Sequence, residues 1–143
     1  MSLAQQIQWG SAFLGVCLIV QVIFMGLAAQ TMAVAGPRLL RFGRSALVSV
    51  FLSVSLIAVL VSLTIQVWIW AWVYFSYDLL ADWNSAVYFS LVTFTSLGYG
   101  DIVLGPEVRI FAAFGSVTGL LTFGLSTALM VASISTRSYQ NLE

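Results

Sequence analysis

The chain has 143 residues, 61% of them hydrophobic and 7% charged, and its mean hydropathy of +1.04 is far above that of water-soluble domains. Its five basic residues, all arginine, balance five acids, so there is no electrostatic footprint for nucleic acid. The absence of histidine and the single cysteine exclude most metal sites, nucleophile–base pairs and any intrachain disulfide.

The charges divide the chain into long apolar stretches. None falls between Ser2 and Pro37, between Ser45 and Tyr77, or between Ile110 and Thr136. Each stretch exceeds the roughly 20 residues a helix needs to cross about 30 Å of hydrocarbon. Backbone groups in lipid must be satisfied within their own segment, so the spans are helices, predicted over 10–35, 46–75 and 107–134. The first is not a cleaved signal: Gln5, Gln6 and Gln8 stand where a basic region is required, and the apolar run is too long. Within it Cys17 reads as a small buried or lipid-facing hydrophobe. Gln21 and Gln30 are its candidate polar contacts with a neighbour, or else tolerated lone amides.

Arg38, Arg41 and Arg44 cluster in the link 36–45, Arg137 follows the last span, and Arg109 falls on the other side. The positive-inside bias therefore places the N-terminus outside and the C-terminus in the cytoplasm, in a plasma or cell inner membrane. Arginine at every third position is also how voltage sensors are spaced, but a sensor carries that spacing within a membrane helix. Here Gly36-Pro37 precedes the set and Gly43 interrupts it, so it reads as a cytoplasmic hairpin beside anionic headgroups. Trp68, Trp70 and Trp72, with Tyr74 and Tyr77, read as an aromatic belt at the outer end of the second span.

Residues 78–106 then begin and end outside. Their middle is hydrophobic but too short to cross, and Asn84 or Ser85 is expected to cap a helix over 84–95 about 18 Å long. Such a segment dips into the membrane and returns, which is tolerated only where protein or a water-filled cavity surrounds it. Three spans cannot enclose it; several chains around an axis can.

The returning turn reads Thr95-Ser96-Leu97-Gly98-Tyr99-Gly100-Asp101. The stretch Tyr88–Asp101, YFSLVTFTSLGYGD, resembles the pore helix and selectivity filter of tetrameric potassium channels. The resemblance implies a filter at Ser96, Leu97, Gly98, Tyr99 and Gly100, with potassium held by the backbone carbonyls of Ser96, Leu97, Gly98 and Tyr99 and no other cofactor. Carbonyl rings replace the ion's hydration shell, and aligning them requires backbone conformations that Gly98 and Gly100 permit. Ser96 adds a hydroxyl ring at the inner end, while Leu97 and Tyr99 point away and wedge the filter against the pore helices. The pore helix turns its partly negative C-terminus toward the central cavity. Thr95, Tyr88 and Asp101 support the filter and its mouth, with a hydrogen bond expected from Tyr88 to Asp101, and Phe89 braces from behind. Two departures stand out: Ser96 where the family usually has Thr, and Leu97 where it usually has Val or Ile. The second leaves selectivity and resistance to inactivation open.

Residues 119–128 resemble the inner helix of the same family. The resemblance implies a cavity lined by Leu120, Phe123, Thr127 and Val131, with Gly119 at the bending position. Close packing at Gly115, Gly119 and Gly124 is the competing explanation. The likeness covers 46–134, and the first span has no counterpart in it. The expectation is an all-α membrane protein, a homotetramer in the lipid bilayer with three spanning helices and a re-entrant loop per subunit. Its parts are 1–45 (first helix and arginine link), 46–136 (pore domain) and 137–143 (short tail), with no room after Glu143 for a ligand-binding domain. The function implied is passive potassium conduction rather than enzymatic activity, Asp101 and Glu107 being mouth charges. The alternatives are a weakly selective cation channel or a non-conducting regulatory subunit, whose mark would be damage to Gly98 or Gly100. Any regulatory partner is unknown.

Overall fold

The computed structural model describes residues 1–139, apart from the side chains of 42, 44 and 132–139. The described residues form four α-helices and one 3-10 turn: α1 (Leu3–Leu39), the turn Leu40–Phe42, α2 (Arg44–Ser76), α3 (Trp83–Phe94) and α4 (Arg109–Tyr139). Helices α1, α2 and α4 are long and apolar enough to cross a membrane. The chain is therefore an all-helical, three-span protein with one short helix between the last two spans.

Helix α1 begins seven residues before the expected start. Ser2 Oγ accepts the Gln5 N–H at 3.3 Å, and Gln5 Oε1 accepts the Ser2 N–H at 2.9 Å. This reciprocal cap satisfies two end donors and starts the helix at once. At its other end α1 runs through Pro37 to Leu39. The proline forfeits one bond to the Ala33 carbonyl, and Gly36 before it has no Cβ to strike the ring. The arginine link is thus largely helical, with Arg38 in the last turn of α1, and the chain breaks at Gly43, whose φ is 102°. The expected tail is shorter too, since α4 extends to Tyr139; 140–143 lie outside the described residues.

Neither Asn84 nor Ser85 caps α3. Asp82 does, accepting the Ser85 N–H at 3.0 Å and the Ser85 hydroxyl at 2.6 Å, and these bonds hold its carboxyl below the usual range.

Helix α3 rests against α2 and α4, while α1 rests against the same two helices. Helices α1 and α4 run parallel at a nearly constant offset. Gln6 meets Ile110 and Phe111, Gly10 meets Phe114, and Gln21 meets Ser126, a contact line of roughly 24 Å at 1.5 Å per residue.

The aromatic belt is only partly realised. Trp70 and Tyr74 are core residues, 1% and 0% exposed, with ring centroids 5.5 Å (Trp70) and 6.5 Å (Tyr74) from Phe111. Trp68, Trp72 and Tyr77 remain exposed. Residues two apart differ by about 200° around a helix, so Trp70 had to face away from Trp68 and Trp72. Cys17 is buried, as one of its two expected placements required.

Candidate functional site

The G-Y-G-D loop is fixed at both ends by α3. Helix α3 closes with the Ser96 N–H donating to the Thr93 carbonyl at 2.9 Å and the Leu97 N–H to the Val92 carbonyl at 3.0 Å. These are the two bonds of a Schellman cap, whose turning residue is left-handed. That residue is Ser96, with φ at 58°. Gly98 and Gly100 follow with φ at 53° and 77°, so every second residue from 96 to 100 is left-handed. The glycines were expected in this role and Ser96 was not. Its cost is offset by the cap bonds, and counting the twelve residues of α3 from Asp82 locates it.

At the far end of the loop, the Tyr88 hydroxyl donates to Asp101 Oδ2 at 2.6 Å. The bond raises the tyrosine's pKa and lowers that of the Asp101 carboxyl, because it favours the phenol and the carboxylate together. Residues 95–101 are all exposed. Leu97 and Tyr99 are 58% and 68% exposed, so neither is wedged against its own α3. Thr95 is the last-turn cap, and its hydroxyl bonds back to the Leu91 carbonyl at 2.7 Å.

Helix α3 is itself held from two sides. Ser90 Oγ donates to the Val67 carbonyl of α2 at 2.7 Å, and Ser116 Oγ of α4 donates to the Thr93 carbonyl at 2.8 Å. Phe89 packs edge-on against Tyr74 at 5.1 Å. Gly119 allows the closest approach. A Cβ there would lie 2.8 Å from the Phe94 carbonyl carbon and nearer still to its oxygen. At Gly115 it would lie 2.8 Å from the Tyr74 hydroxyl, whereas at Gly124 it would meet nothing within 4 Å. Close packing thus accounts for Gly115 and Gly119, but not for Gly124.

Leu120, Phe123, Thr127 and Val131 all lie exposed on α4. Phe123 also approaches the Phe94 ring at 6.4 Å, and the Thr127 hydroxyl bonds back to the Phe123 carbonyl at 3.0 Å.

A family model described as an ion channel matches residues 56–136, more than half of the chain. The protein belongs to this ion channel family. No curated protein and no solved structure matches it. The matched part of the channel holds most of α2, all of α3, the G-Y-G-D loop and nearly all of α4, and it leaves α1 outside.

One feature of the channel escaped the sequence reading. Gln21 makes the polar contact expected of it, with helices of its own chain, whereas Gln30 is exposed. What the sequence did not disclose is that Gln21 joins a whole buried polar group with Ser62, Gln66, Thr122 and Ser126. Their helical spacing was the available signal: 62 and 66, like 122 and 126, are four apart and share a face.

Proposed function

We propose that the channel is a homotetramer that conducts potassium passively, with residues 96–100 of each subunit forming one quarter of the selectivity filter. The observation that carries this reading is the alternation of left-handed residues at Ser96, Gly98 and Gly100. Such alternation is what successive carbonyls need if they are to face one axis, as replacing a hydration shell requires. Potassium, the cargo, then passes the carbonyls of Ser96, Leu97, Gly98 and Tyr99 and enters a cavity bounded by Leu120, Phe123, Thr127 and Val131.

Assembly follows from the same loop. Residues 95–101 are exposed in the subunit, and irregular backbone at membrane depth is stable only within protein or against water. Four copies around an axis cover Leu97 and Tyr99 and leave the carbonyl side to the ion. The Schellman cap and the Tyr88–Asp101 bond fix the loop's two ends, which limits its freedom to collapse. The arginines at the α1–α2 turn favour a cytoplasmic position for that turn, which puts the N-terminus and the G-Y-G-D mouth outside.

The test is potassium flux through purified protein in liposomes, with sodium substituted in parallel and Gly98→Ala as control. The expected result is potassium-selective flux that the substitution abolishes. Equal sodium and potassium flux refutes the selectivity and favours a weakly selective cation channel. Leu97 supports that second reading, because its packing depends on a neighbouring copy.

A further inference from the structure

The buried amide of Gln21 is the hub of a hydrogen-bond circuit through three helices. Its Oε1 accepts Ser62 Oγ at 2.6 Å and Gln66 Nε2 at 3.2 Å, both from α2. Its Nε2 donates to Ser126 Oγ of α4 at 2.8 Å. Thr122 Oγ1 of α4 donates to Gln66 Oε1 at 2.9 Å, and Ser126 Oγ donates to the Thr122 carbonyl at 2.6 Å, closing the circuit. Gln21, Ser62, Gln66 and Thr122 are each 0% exposed, and Ser126 is 4% exposed.

Apolar side chains against one another in lipid specify little about rotation, because lipid tails are as apolar as leucine. A polar circuit specifies much, because a helix that turns leaves its members unpaired where no water can replace the partner. On α4 the circuit residues Thr122 and Ser126 share one face, with buried Thr118 in line. Leu120, Thr127 and Val131 fall on roughly the opposite face.

We propose that Gln21 is a positioning residue for conduction: through Ser126 it sets the rotation of α4, and so decides which residues α4 presents to the pore. This rests on the reading of α4 as the pore-lining helix. The hub sits on α1, outside the stretch that the family shares, so the additional helix takes part in the conducting state rather than only shielding it from lipid. A second hold at the G-Y-G-D end fits the same role, since buried Gln6 Oε1 accepts the N–H groups of Ile110 and Phe111 at 3.1 and 3.3 Å. Gln6 fixes the height of α4, and Gln21 fixes its turn.

Two substitutions separate positioning from mere stabilisation. Ser62→Ala and Ser126→Ala each delete one hydrogen bond to Gln21, but only the second cuts its direct bond to α4, the Thr122–Gln66 bond persisting in both. Single-channel recording of the full-length protein in planar bilayers gives open probability and unitary conductance, and thermal unfolding in detergent gives stability. Ser126→Ala is expected to lose the more stability, because it leaves Gln21 Nε2 unpaired whereas Gln66 still donates to Gln21 Oε1 after Ser62→Ala, so both are recorded well below their unfolding temperatures. Ser126→Ala, and likewise Gln21→Leu, are expected to lower open probability at least tenfold with unitary conductance unchanged. Ser62→Ala is expected to keep open probability within twofold of native. Equal effects of Ser62→Ala and Ser126→Ala on open probability would overturn the proposal. Gly98→Ala, recorded alongside, isolates the underlying reading. Current that survives it removes the pore assignment and the proposal together. Current that it abolishes, with the two serine variants alike, removes only the positioning role.

Discussion

Gly119→Ala tests whether this glycine serves close packing or bending. The new Cβ would stand 2.8 Å from the Phe94 carbonyl carbon and 3.1 Å from its ring, with the carbonyl oxygen closer still. Carbon atoms rest at about 3.5–4.0 Å, so α3 and α4 have to separate by at least about 0.7 Å at this point. The obstacle is backbone in the last turn of α3, which rotamer changes cannot move aside. Overpacking of this kind costs about 1–3 kcal/mol, and the gain from alanine's helix propensity returns less than about 1 kcal/mol. Because the Phe94 carbonyl lies two residues before Ser96, the displacement passes directly into the loop. Thermal unfolding in detergent and potassium flux in liposomes are both expected to fall. Gly26→Ala is the matched control, a helical glycine with nothing within 4 Å, and it is expected to be neutral or slightly stabilising. A Gly119→Ala channel as stable as native, with only its gating altered, would refute the packing account and restore the bending one.

Tyr88→Phe deletes the 2.6 Å bond to Asp101, and faster loss of current during sustained conduction is the expected result. The bond holds the Asp101 carboxyl below its ordinary value near 3.9, so its stabilising contribution is present above that pH and is lost only as pH falls through the lowered value. In Tyr88→Phe the acid transition of the flux is therefore expected at higher pH than in the native channel. Gly10→Ala sets a Cβ 2.6 Å from Phe114 Cγ, a side chain that can yield. Its loss of thermal stability is expected to be smaller than that of Gly119→Ala, and Phe114→Leu in the same chain is expected to recover it. Gln6→Leu orphans the N–H groups of Ile110 and Phe111 and is expected to cost about 1–2 kcal/mol in unfolding experiments.

The number and kind of helices were legible because charge-free runs and span length are set by the bilayer itself. The Tyr88–Asp101 contact was legible through the resemblance of this stretch to a potassium-channel pore helix and filter, and the short helix with its return turn brings the two positions together. Helix ends were less so. Asp82, Asn84 and Ser85 are all good capping residues, and the choice fell to Asp82 because the chain enters α3 extended there, at φ −144° and ψ 160°. Pro37 suggested a stop, yet the helix passes it because Gly36 relieves the clash. The left-handed Ser96 was hidden because serine does not announce φ above zero as glycine does; only the cap geometry of α3 places it.

What the sequence conceals most is which side of each span faces protein, and the reason is physical. Leu, Ile and Val transfer between lipid and a protein core at little gain, so hydropathy does not separate the two faces. Ile19, Ile57 and Leu60 are all more than half exposed, while Gln21, Ser62, Gln66 and Thr118 are fully buried. The buried faces are therefore marked by the polar residues that pair across helices and by small residues. Gln21, Ser62, Gln66, Thr122 and Ser126 turn inward, while Ser53, Thr64 and Thr127 bond back to their own helix and stay exposed. Gly10, Gly115 and Gly119 mark where helices approach. Trp70 and Tyr74 follow from this rule, since they share the face of α2 that carries Gln66. An aromatic near a span's end is an anchor on the lipid side and a core residue on the amide side. On α2, the face was written in Ser62 and Gln66 rather than in the tryptophans.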